Sequence, residues 1–192
     1  LNQTVLALEN LVADFDESLT SKQSWIEECR VFISACNQLK LPAYLERSRS
    51  GKGGHIWIFF SSNFPAYKSR KILQYILEKS GIVSPFEKNT NYDRVFPNQD
   101  YHSGKGLGNL IVLPLQKRAL ENNNSCFIDP ESLVPYPDQW NYLQNIERVS
   151  VDYLDNIFAS ISGPELLSQQ SYHDPLSNKE VIQIVLNNQI VI

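Results

Sequence analysis

The sequence lacks the features that mark membrane, secreted and zinc-stabilised proteins. It has no apolar run of 18 residues, and its first residues lack the basic and apolar segments of a signal peptide. Its three cysteines, Cys29, Cys36 and Cys126, form no CxxC pair, and the first two fall on an apolar helical pattern. We therefore expect no membrane association, buried free thiols, and a reducing, cytoplasmic location.

Methionine is absent altogether, at position 1 as elsewhere, and we therefore expect that both ends are cut from a longer chain. Strong positive charge is also absent. The chain has 17 Lys and Arg against 21 Asp and Glu, and its formal net charge is −4. Proteins that coat nucleic acid in bulk are strongly basic. Any affinity for nucleic acid must therefore come from local patches. With 192 residues, 42% of them hydrophobic, the chain can form one or two compact units.

The apolar pattern of the first half predicts elements in the order β-α-β-β-α. The segment "NLVADFDE" alternates like a strand, which places Asp14 and Asp16 on one face at its end. The segment "SKQSWIEECRVFISACNQLKL" has helical spacing, with Ser21 or Ser24 as its cap. Two strands follow, "AYLER" and "HIWIFF", on either side of a glycine-rich turn. A second helix, "PAYKSRKILQYILEKSG", is opened by a proline and closed by a glycine.

The second half is less regular. We predict strands over "GNLIVLPL" and "SCFID", and helices over "PDQWNYLQNIERV" and "VDYLDNIFAS". The polar region from Gly163 to Lys179, which contains Pro164 and Pro175, is interpreted as a linker to a final "VIQIVLNNQIVI" hairpin.

Asp14 and Asp16 are the first candidates for chemistry. Two carboxylates on one strand face lie about 6 to 7 Å apart at the rise of a strand, and carboxylate oxygens are preferred ligands of divalent cations. Such a pair is typical of two-metal phosphoryl-transfer sites. The alternative is a strand that simply ends in solvated acidic residues, and a DxD motif alone does not decide between the two.

The loop "SRSGKGGH" is the second candidate. Ser50, Lys52 and the backbone N–H groups of its glycines suit the oxygens of a polyphosphate. The loop lacks the GxxxxGK[ST] spacing and lies between two strands, so the sequence does not support a Walker-type P-loop. The alternative is a plain hairpin turn with basic side chains. His55 alone is typical of a structural residue. With Lys52 three residues earlier, a role in binding nucleotide phosphates competes with the structural one, and the residues alone leave both open.

The segment "YDRVFPNQDYHSGKGLGNLIVLPLQ" is the third candidate, because it contains Asp93, Asp100 and Lys105. A third carboxylate near the first two would complete a metal site. The alternative is a long surface loop with solvated charges. We interpret Trp57, Trp140 and the region of Tyr136 as core rather than as platforms for stacked bases.

Taken together, the "DFD" pair, "ERSRSGKGGHIWIFF" and "FPNQD…GLGNLIVLPLQ", in this order, resemble the archaeo-eukaryotic primase superfamily. The segments "YDRVFPNQD" and "PYPDQWNYL" add to the resemblance, which runs from Val5 to Val149. Within the superfamily the chain looks most like the primase-polymerase domains of TOTE conflict systems and of CRISPR-associated primase-polymerases. The resemblance implies an α/β (α+β) catalytic core, in which an RRM-like β-α-β-β-α-β unit packs with a further α/β module. It also implies a catalytic domain over residues 1–160, then a linker and the start of a C-terminal extension over 161–192.

The activity that the resemblance implies is that of a DNA primase-polymerase, a nucleotidyltransferase of DNA replication. Such an enzyme transfers a nucleotidyl group from a dNTP or NTP under the direction of a template, to make or extend a primer. Two Mg²⁺ or Mn²⁺ ions neutralise the triphosphate, activate the 3′ oxygen and stabilise the leaving pyrophosphate.

The resemblance also implies roles for single residues. Asp14 and Asp16 would hold the metals together with an acidic residue that precedes a strand. Asp100 has the better spacing to the "LIVLP" strand and is preferred, and Asp93 is the runner-up. The triphosphate would be bound by Ser50, Lys52 and His55, the last of which also counts among the catalytic residues. Further contacts to phosphate or template are expected from Arg47, Arg49, Lys105 and Asn109.

The partners implied are a single-stranded or primed DNA template, nucleoside triphosphates and, in a full-length prokaryotic or mobile-element system, a helicase or CRISPR adaptation proteins. The zinc-binding cysteine clusters of some primases and any helicase-like segment are absent from the sequence. Two other functions stay open. A metal-dependent nuclease would also use clustered carboxylates, whereas a non-catalytic RRM-like module would need aromatic residues where the aspartates lie.

Overall fold

A computed structural model gives the fold and describes residues 4–5, 7–84, 89–102 and 111–168. The chain forms two units, Leu1–Ile161 and Ser162–Ile192. Only residues 162–168 of the second unit are described, so the predicted "VIQIVLNNQIVI" hairpin and most of the predicted linker lie outside the described residues. Within the described part of the chain, no helix has both the length and the apolar content of a membrane span.

The helices and strands follow one another in this order: β1 Thr4–Val5, β2 Ala7–Asp16, α1 Trp25–Gln38, β3 Tyr44–Arg47, β4 Gly53–Pro65, α2 Ala66–Ser80, β5 Tyr92–Phe96, β6 Tyr101–His102, α3 Lys117–Leu120, β7 Cys126–Phe127, α4 Gln139–Gln144 and α5 Val151–Ser168. Helix α5 is interrupted at Gly163, whose backbone angles (φ 66°, ψ 163°) are not helical.

One antiparallel sheet of five strands, in the order β5-β2-β4-β3-β7, is the centre of the fold. In chain order, β2, α1, β3, β4, α2 and β5 form the β-α-β-β-α-β unit that the resemblance implies. Its last strand, Tyr92–Phe96, is not predicted by the apolar pattern, which places the next strand at "GNLIVLPL". Strands β1 and β6 pair separately as a two-stranded antiparallel sheet. The mixed fold of helices and sheet that the sequence indicates is thus confirmed.

Helix α1 begins, and helix α2 begins and ends, where the sequence predicts. Of the two candidate caps of α1, Ser24 is the one used: its Oγ accepts a hydrogen bond from Glu27 N at 3.3 Å, and its backbone N–H donates to the Glu27 carboxylate at 2.8 Å. This reciprocal pair is a capping box. Helix α2 begins after Pro65 and ends at Gly81, which adopts the left-handed conformation with φ 76°.

The two faces of the sheet have different coverings. Ala13 and Phe15 of β2 face α1 and α2 in the larger core, where Phe15 packs edge to face on Phe32 with ring centroids 5.8 Å apart. On the opposite face, Val12 and Trp57 belong to a smaller apolar cluster. All three cysteines are buried and free, as predicted.

The prediction of a strand over "GNLIVLPL" is wrong for its described part, residues 111–115, which has no regular structure. Leu113 is 53% exposed, and Leu115 has a left-handed backbone with φ 64°. The N–H of Leu115 donates to the carbonyl of Ser125 at 2.6 Å, which fixes a turn. The edge position beside β3 is occupied instead by β7, the predicted "SCFID" strand.

The prediction that Trp140 belongs to the core is also wrong. The helix predicted over "PDQWNYLQNIERV" is present only as the short α4, and Trp140 on it is 60% exposed. Beyond α4 the chain turns back to the sheet, where Val149 N donates to Phe59 O at 2.8 Å. Trp57, in contrast, is buried as predicted.

Candidate active site

A row of directly opposed residues crosses the sheet on the face away from α1 and α2. In order from β5 to β7 it consists of Arg94, Asp14, His55, Glu46 and Phe127. Opposed residues of antiparallel strands project from the same face. The first four side chains of the row therefore form a line in which cations and carboxylates alternate.

Neighbouring side chains along this row contact one another. Arg94 Nε lies 3.8 Å from Asp14 Oδ2, and His55 Nε2 lies 3.4 Å from Asp14 Oδ1. On the other side of the imidazole ring, His55 Nδ1 bonds Glu46 Oε2 at 2.9 Å. The same Glu46 oxygen accepts a hydrogen bond from Trp57 Nε1 at 2.8 Å. The imidazole of His55 is thus held between two carboxylates.

This position sets the charge of His55. Burial by itself lowers the pKa of the imidazole, but hydrogen bonding and attraction to the carboxylates of Asp14 and Glu46 outweigh burial and raise the pKa to about 9. His55 is therefore a cation at neutral pH, placed beside Asp14.

Asp14, Asp16 and Asp93 form a carboxylate cluster at the end of β2. One oxygen from each lies within 4.8 Å of the others. Burial, followed by repulsion from Asp14 and Asp93, raises the pKa of Asp16. Crowded carboxylates of this kind are stabilised by a cation, and part of that compensation comes from Arg94, which pairs with Asp93.

The residues of this cluster fit a divalent metal ion. Asp14 Oδ1 is buried, and among the described residues it has no hydrogen-bond partner of acceptable geometry. A buried carboxylate oxygen without a partner is costly, and a cation would satisfy it. Carboxylate oxygens are also the ligands that Mg²⁺ and Mn²⁺ prefer.

Asp93 reaches this cluster through a β-bulge. Arg94 lies opposite Asp14 and Tyr92 lies opposite Phe15, so that Asp93 is the extra residue between the two pairs. A bulge of this kind changes the direction in which a side chain projects. Without it, Asp93 would point to the face opposite Arg94.

Asp100, the residue preferred from the sequence, lies outside the carboxylate cluster. It follows the end of β5, and its carboxylate pairs with Arg70 of α2. The preference for Asp100 depended on a strand at "LIVLP", which the described residues 111–115 do not form. The structure brings together Asp14, Asp16 and the runner-up Asp93.

Two residues that the sequence analysis missed join the start of β5 to the end of β2. Glu28 is 3% exposed and accepts hydrogen bonds from Asn91 N at 2.9 Å and from Asn91 Nδ2 at 2.8 Å. The carbonyl of Asn91 in turn accepts from Asp16 N at 2.8 Å. A signal was available: Glu28 lies three residues after Trp25 and four before Phe32, on the apolar side of a helix.

The basic glycine loop, residues 48–53, lies at the same end of β2. Gly53 is directly opposite Asp16, and Gly54 is opposite Phe15. A Cβ atom on Gly53 would meet the Phe15 carbonyl oxygen and lie 2.8 Å from Asp16 Oδ1, and one on Gly54 would lie 2.8 Å from the ring of Trp25. The glycines are therefore required for the loop to approach β2 so closely.

Other contacts fix the shape of the loop. Glu17 N donates to Lys52 O at 2.8 Å, and Ser50 Oγ accepts from Lys52 N at 3.2 Å. The side chains of Arg49 and Lys52 are exposed. Arg47 has a different environment, because its guanidinium donates to the backbone carbonyls of Asn123 and Leu133 at 3.1 and 2.8 Å. These bonds tie β3 to the neighbouring loops.

The two remaining candidates for phosphate or template contact, Lys105 and Asn109, lie outside the described residues. The structure therefore brings together three parts of the predicted site: the carboxylates of Asp14, Asp16 and Asp93, the imidazole of His55, and the basic glycine loop. Glu46, Arg94 and the Glu28–Asn91 pair are additions that only the structure supplies.

Comparison with known proteins identifies one family. The model of the family described as "TOTE conflict system, Archaeo-Eukaryotic Primase domain" matches residues 6–157. The curated proteins contain no significant match. The matched range includes every element of the candidate site described above.

Proposed function

Because the chain belongs to the archaeo-eukaryotic primase domain family of TOTE conflict systems, we propose that it is the catalytic domain of a DNA primase-polymerase. Membership of the family points to nucleotidyl transfer of the primase-polymerase kind. The finer proposal is template-directed transfer from a dNTP or NTP, which makes or extends a primer. The observation that supports it best is the convergence of Asp14, Asp16 and Asp93 at the strand end that also carries the basic glycine loop.

Asp14, Asp16 and Asp93 are the residues that would hold Mg²⁺ or Mn²⁺. The bound ions would supply charge neutralisation of the triphosphate, activation of the 3′ oxygen and stabilisation of the leaving pyrophosphate. The protein contributes a rigid arrangement of ligands. Asp14 lies on the inner strand β2, between β4 and β5, and Asp93 is held by the bulge that follows the Glu28–Asn91 contact.

The cationic part of the site would bind the triphosphate. His55 carries a positive charge beside Asp14, and the loop offers the Lys52 ammonium and the Ser50 hydroxyl at the end of β2. Phosphate oxygens are bound well by such donors, and the bonds are strongest when the donor is charged. The backbone N–H groups of Gly51 and Lys52, expected as further donors, already donate to Ser48 O and Ser50 Oγ within the loop. A DNA template, single-stranded or primed, is the proposed second substrate.

The proposal is tested by extension of a labelled primer on a DNA template with Mn²⁺ or Mg²⁺ and dNTPs. Asp14→Asn and Asp16→Asn remove one charge each without a change of volume, and we expect each to lower extension about a hundredfold or more. Asp152→Asn, on the exposed first turn of α5, is the matched control and should extend normally. Normal extension by both site variants would contradict the proposal.

The same assay separates the alternatives. Degradation of labelled DNA without nucleotide, together with no extension, would identify a metal-dependent nuclease, which has no need of a triphosphate-binding loop. Binding of single-stranded DNA with neither reaction would identify a non-catalytic RRM-like module. Such a module would need aromatic residues on the open face of the sheet, where bases stack. The row across that face consists of charged residues instead: Arg94, Asp14, His55 and Glu46.

A further inference from the structure

Glu46 is a buried carboxylate that neither holds the proposed metals nor faces the proposed triphosphate. It is 1% exposed, and it lies on β3 directly behind His55 as seen from Asp14. We propose that Glu46 positions His55: its carboxylate fixes the imidazole so that Nε2 faces Asp14 and the triphosphate site. The identity of the ligand as a triphosphate rests on the proposed function, whereas the orientation of the ring does not.

The first support is the set of donors that satisfy this carboxylate. They are side chains: His55 at 2.9 Å, Trp57 at 2.8 Å and Ser125 at 3.5 Å. Glu28 differs, because it accepts from the backbone N–H of Asn91 and so joins two segments of chain. Burying a carboxylate is costly unless it is well paired. An apolar residue at position 46 would leave the N–H groups of His55 and Trp57 without their acceptor. The carboxylate thus serves these side chains, one of which is the proposed phosphate-binding residue.

The second support is that Glu46 is itself held in place. Trp57 donates to the same oxygen, Oε2, that bonds His55. The indole of Trp57 is buried and stacks on Phe59 at an interplanar angle of 10°, with centroids 5.8 Å apart. Oε2 therefore has a fixed position against which the imidazole can be oriented.

The third support is the geometry of the ring. A carboxylate accepts hydrogen bonds, so the nitrogen that it bonds, Nδ1, carries a proton. Nε2 then lies on the opposite side of the ring, 3.4 Å from Asp14 Oδ1. A ring fixed in this way loses less side-chain freedom when a phosphate binds, and pre-organisation of this kind improves affinity.

A double-mutant cycle tests the proposal. KM for the dNTP and kcat are measured by primer extension for Glu46→Ala, His55→Ala and the double variant. We expect Glu46→Ala to raise KM about tenfold, which is the effect of one charge-assisted hydrogen bond. In the His55→Ala background it should add little, because a positioning residue acts only through the side chain that it positions.

Equal effects of Glu46→Ala in both backgrounds would overturn the proposal, because they would show that Glu46 acts on the fold in general. Glu46→Gln keeps a carbonyl oxygen for both donors, so it should restore most of the lost affinity, and it serves in the same cycle if Glu46→Ala does not fold. Glu78→Gln, on the exposed side of α2, is the matched control and should leave KM unchanged.

A second measurement needs neither nucleotide nor metal. The chain has three histidines, and the ¹⁵N signals of His55 are identified by their loss in His55→Ala. We expect a hydrogen-bonded Nδ1–H that is retained in Glu46→Gln and lost in Glu46→Ala. An unchanged Nδ1–H in Glu46→Ala would overturn the positioning role even in an active enzyme. A wild-type chain that incorporates no nucleotide would instead contradict the proposed function and leave this measurement valid.

Discussion

At the scale of single residues, the candidate site is a problem of charge balance. Asp14 is in contact with Arg94 on one side and His55 on the other, but its buried Oδ1 has no satisfactory hydrogen bond among the described residues. Asp16 and Asp93 are more exposed than Asp14, yet partial burial, followed by repulsion from Asp14 and Asp93, raises the pKa of Asp16. The cluster is thus built to accept further positive charge, and Arg94 is the cation that an incoming metal would partly replace.

The third carboxylate is the residue on which sequence and structure differ most. We predict that Asp93→Ala lowers primer extension about a hundredfold, because it removes a ligand from the carboxylate cluster. Asp100→Ala is the matched comparison: it breaks the pair with Arg70 and should cost about 1 kcal/mol or less of stability, since both side chains are partly exposed. Strong loss of extension in Asp100→Ala, with Asp93→Ala active, would show that the sequence-based preference was right.

At the scale of elements, the basic loop can lie close to β2 only because position 53 is a glycine, which has no side chain. Gly53→Ala would place a methyl group against the Phe15 carbonyl and the Asp16 carboxylate. We predict a loss of about 1 to 3 kcal/mol in the free energy of unfolding, together with a higher KM for nucleotide, because the loop is displaced from the carboxylates. Chemical denaturation and primer extension measure the two effects.

Gly81→Ala is the control for this prediction. Gly81 also needs glycine, because its φ is 76°, but nothing lies within 4 Å of a Cβ there and it closes α2. It should cost about 1 kcal/mol through backbone strain and leave the KM for nucleotide unchanged. Equal changes in KM for both variants would mean that loss of stability, and not the position of the loop, controls nucleotide binding.

The elements also show what could be predicted from the sequence. Capping residues and apolar periodicity located α1, α2, β2 and the two strands around the loop, because these signals are local. The bulge at Asp93 could not be predicted, because it depends on how β5 aligns with β2 across a separation of some 80 residues. The apolar "LIVLP" run has the composition of a strand, but its described residues, 111–114, form none, and Leu115 just after them is fixed in a turn by its hydrogen bond to Ser125.

At the scale of the whole molecule, the candidate metal ligands join distant parts of the chain. Asp14 and Asp16 come from β2 and Asp93 from β5, and these two strands are neighbours only in the folded sheet. An ion that binds all three therefore binds the folded chain and not the unfolded one. Binding of this kind raises the free energy of unfolding by RT ln(1 + [ion]/Kd).

We predict that Mn²⁺ raises the melting temperature of the wild-type chain in the absence of nucleotide and DNA. At a concentration about a hundred times Kd, linkage gives about 2.7 kcal/mol, which corresponds to about 5 to 10 °C for a domain of this size. Asp14→Asn should lose most of the shift, because Asp14 supplies a buried oxygen that has no satisfactory hydrogen bond among the described residues. Asp152→Asn should keep all of it, since that residue lies on the exposed first turn of α5. A melting temperature that does not respond to Mn²⁺ in the wild type would mean that the three carboxylates do not bind the ion without substrate.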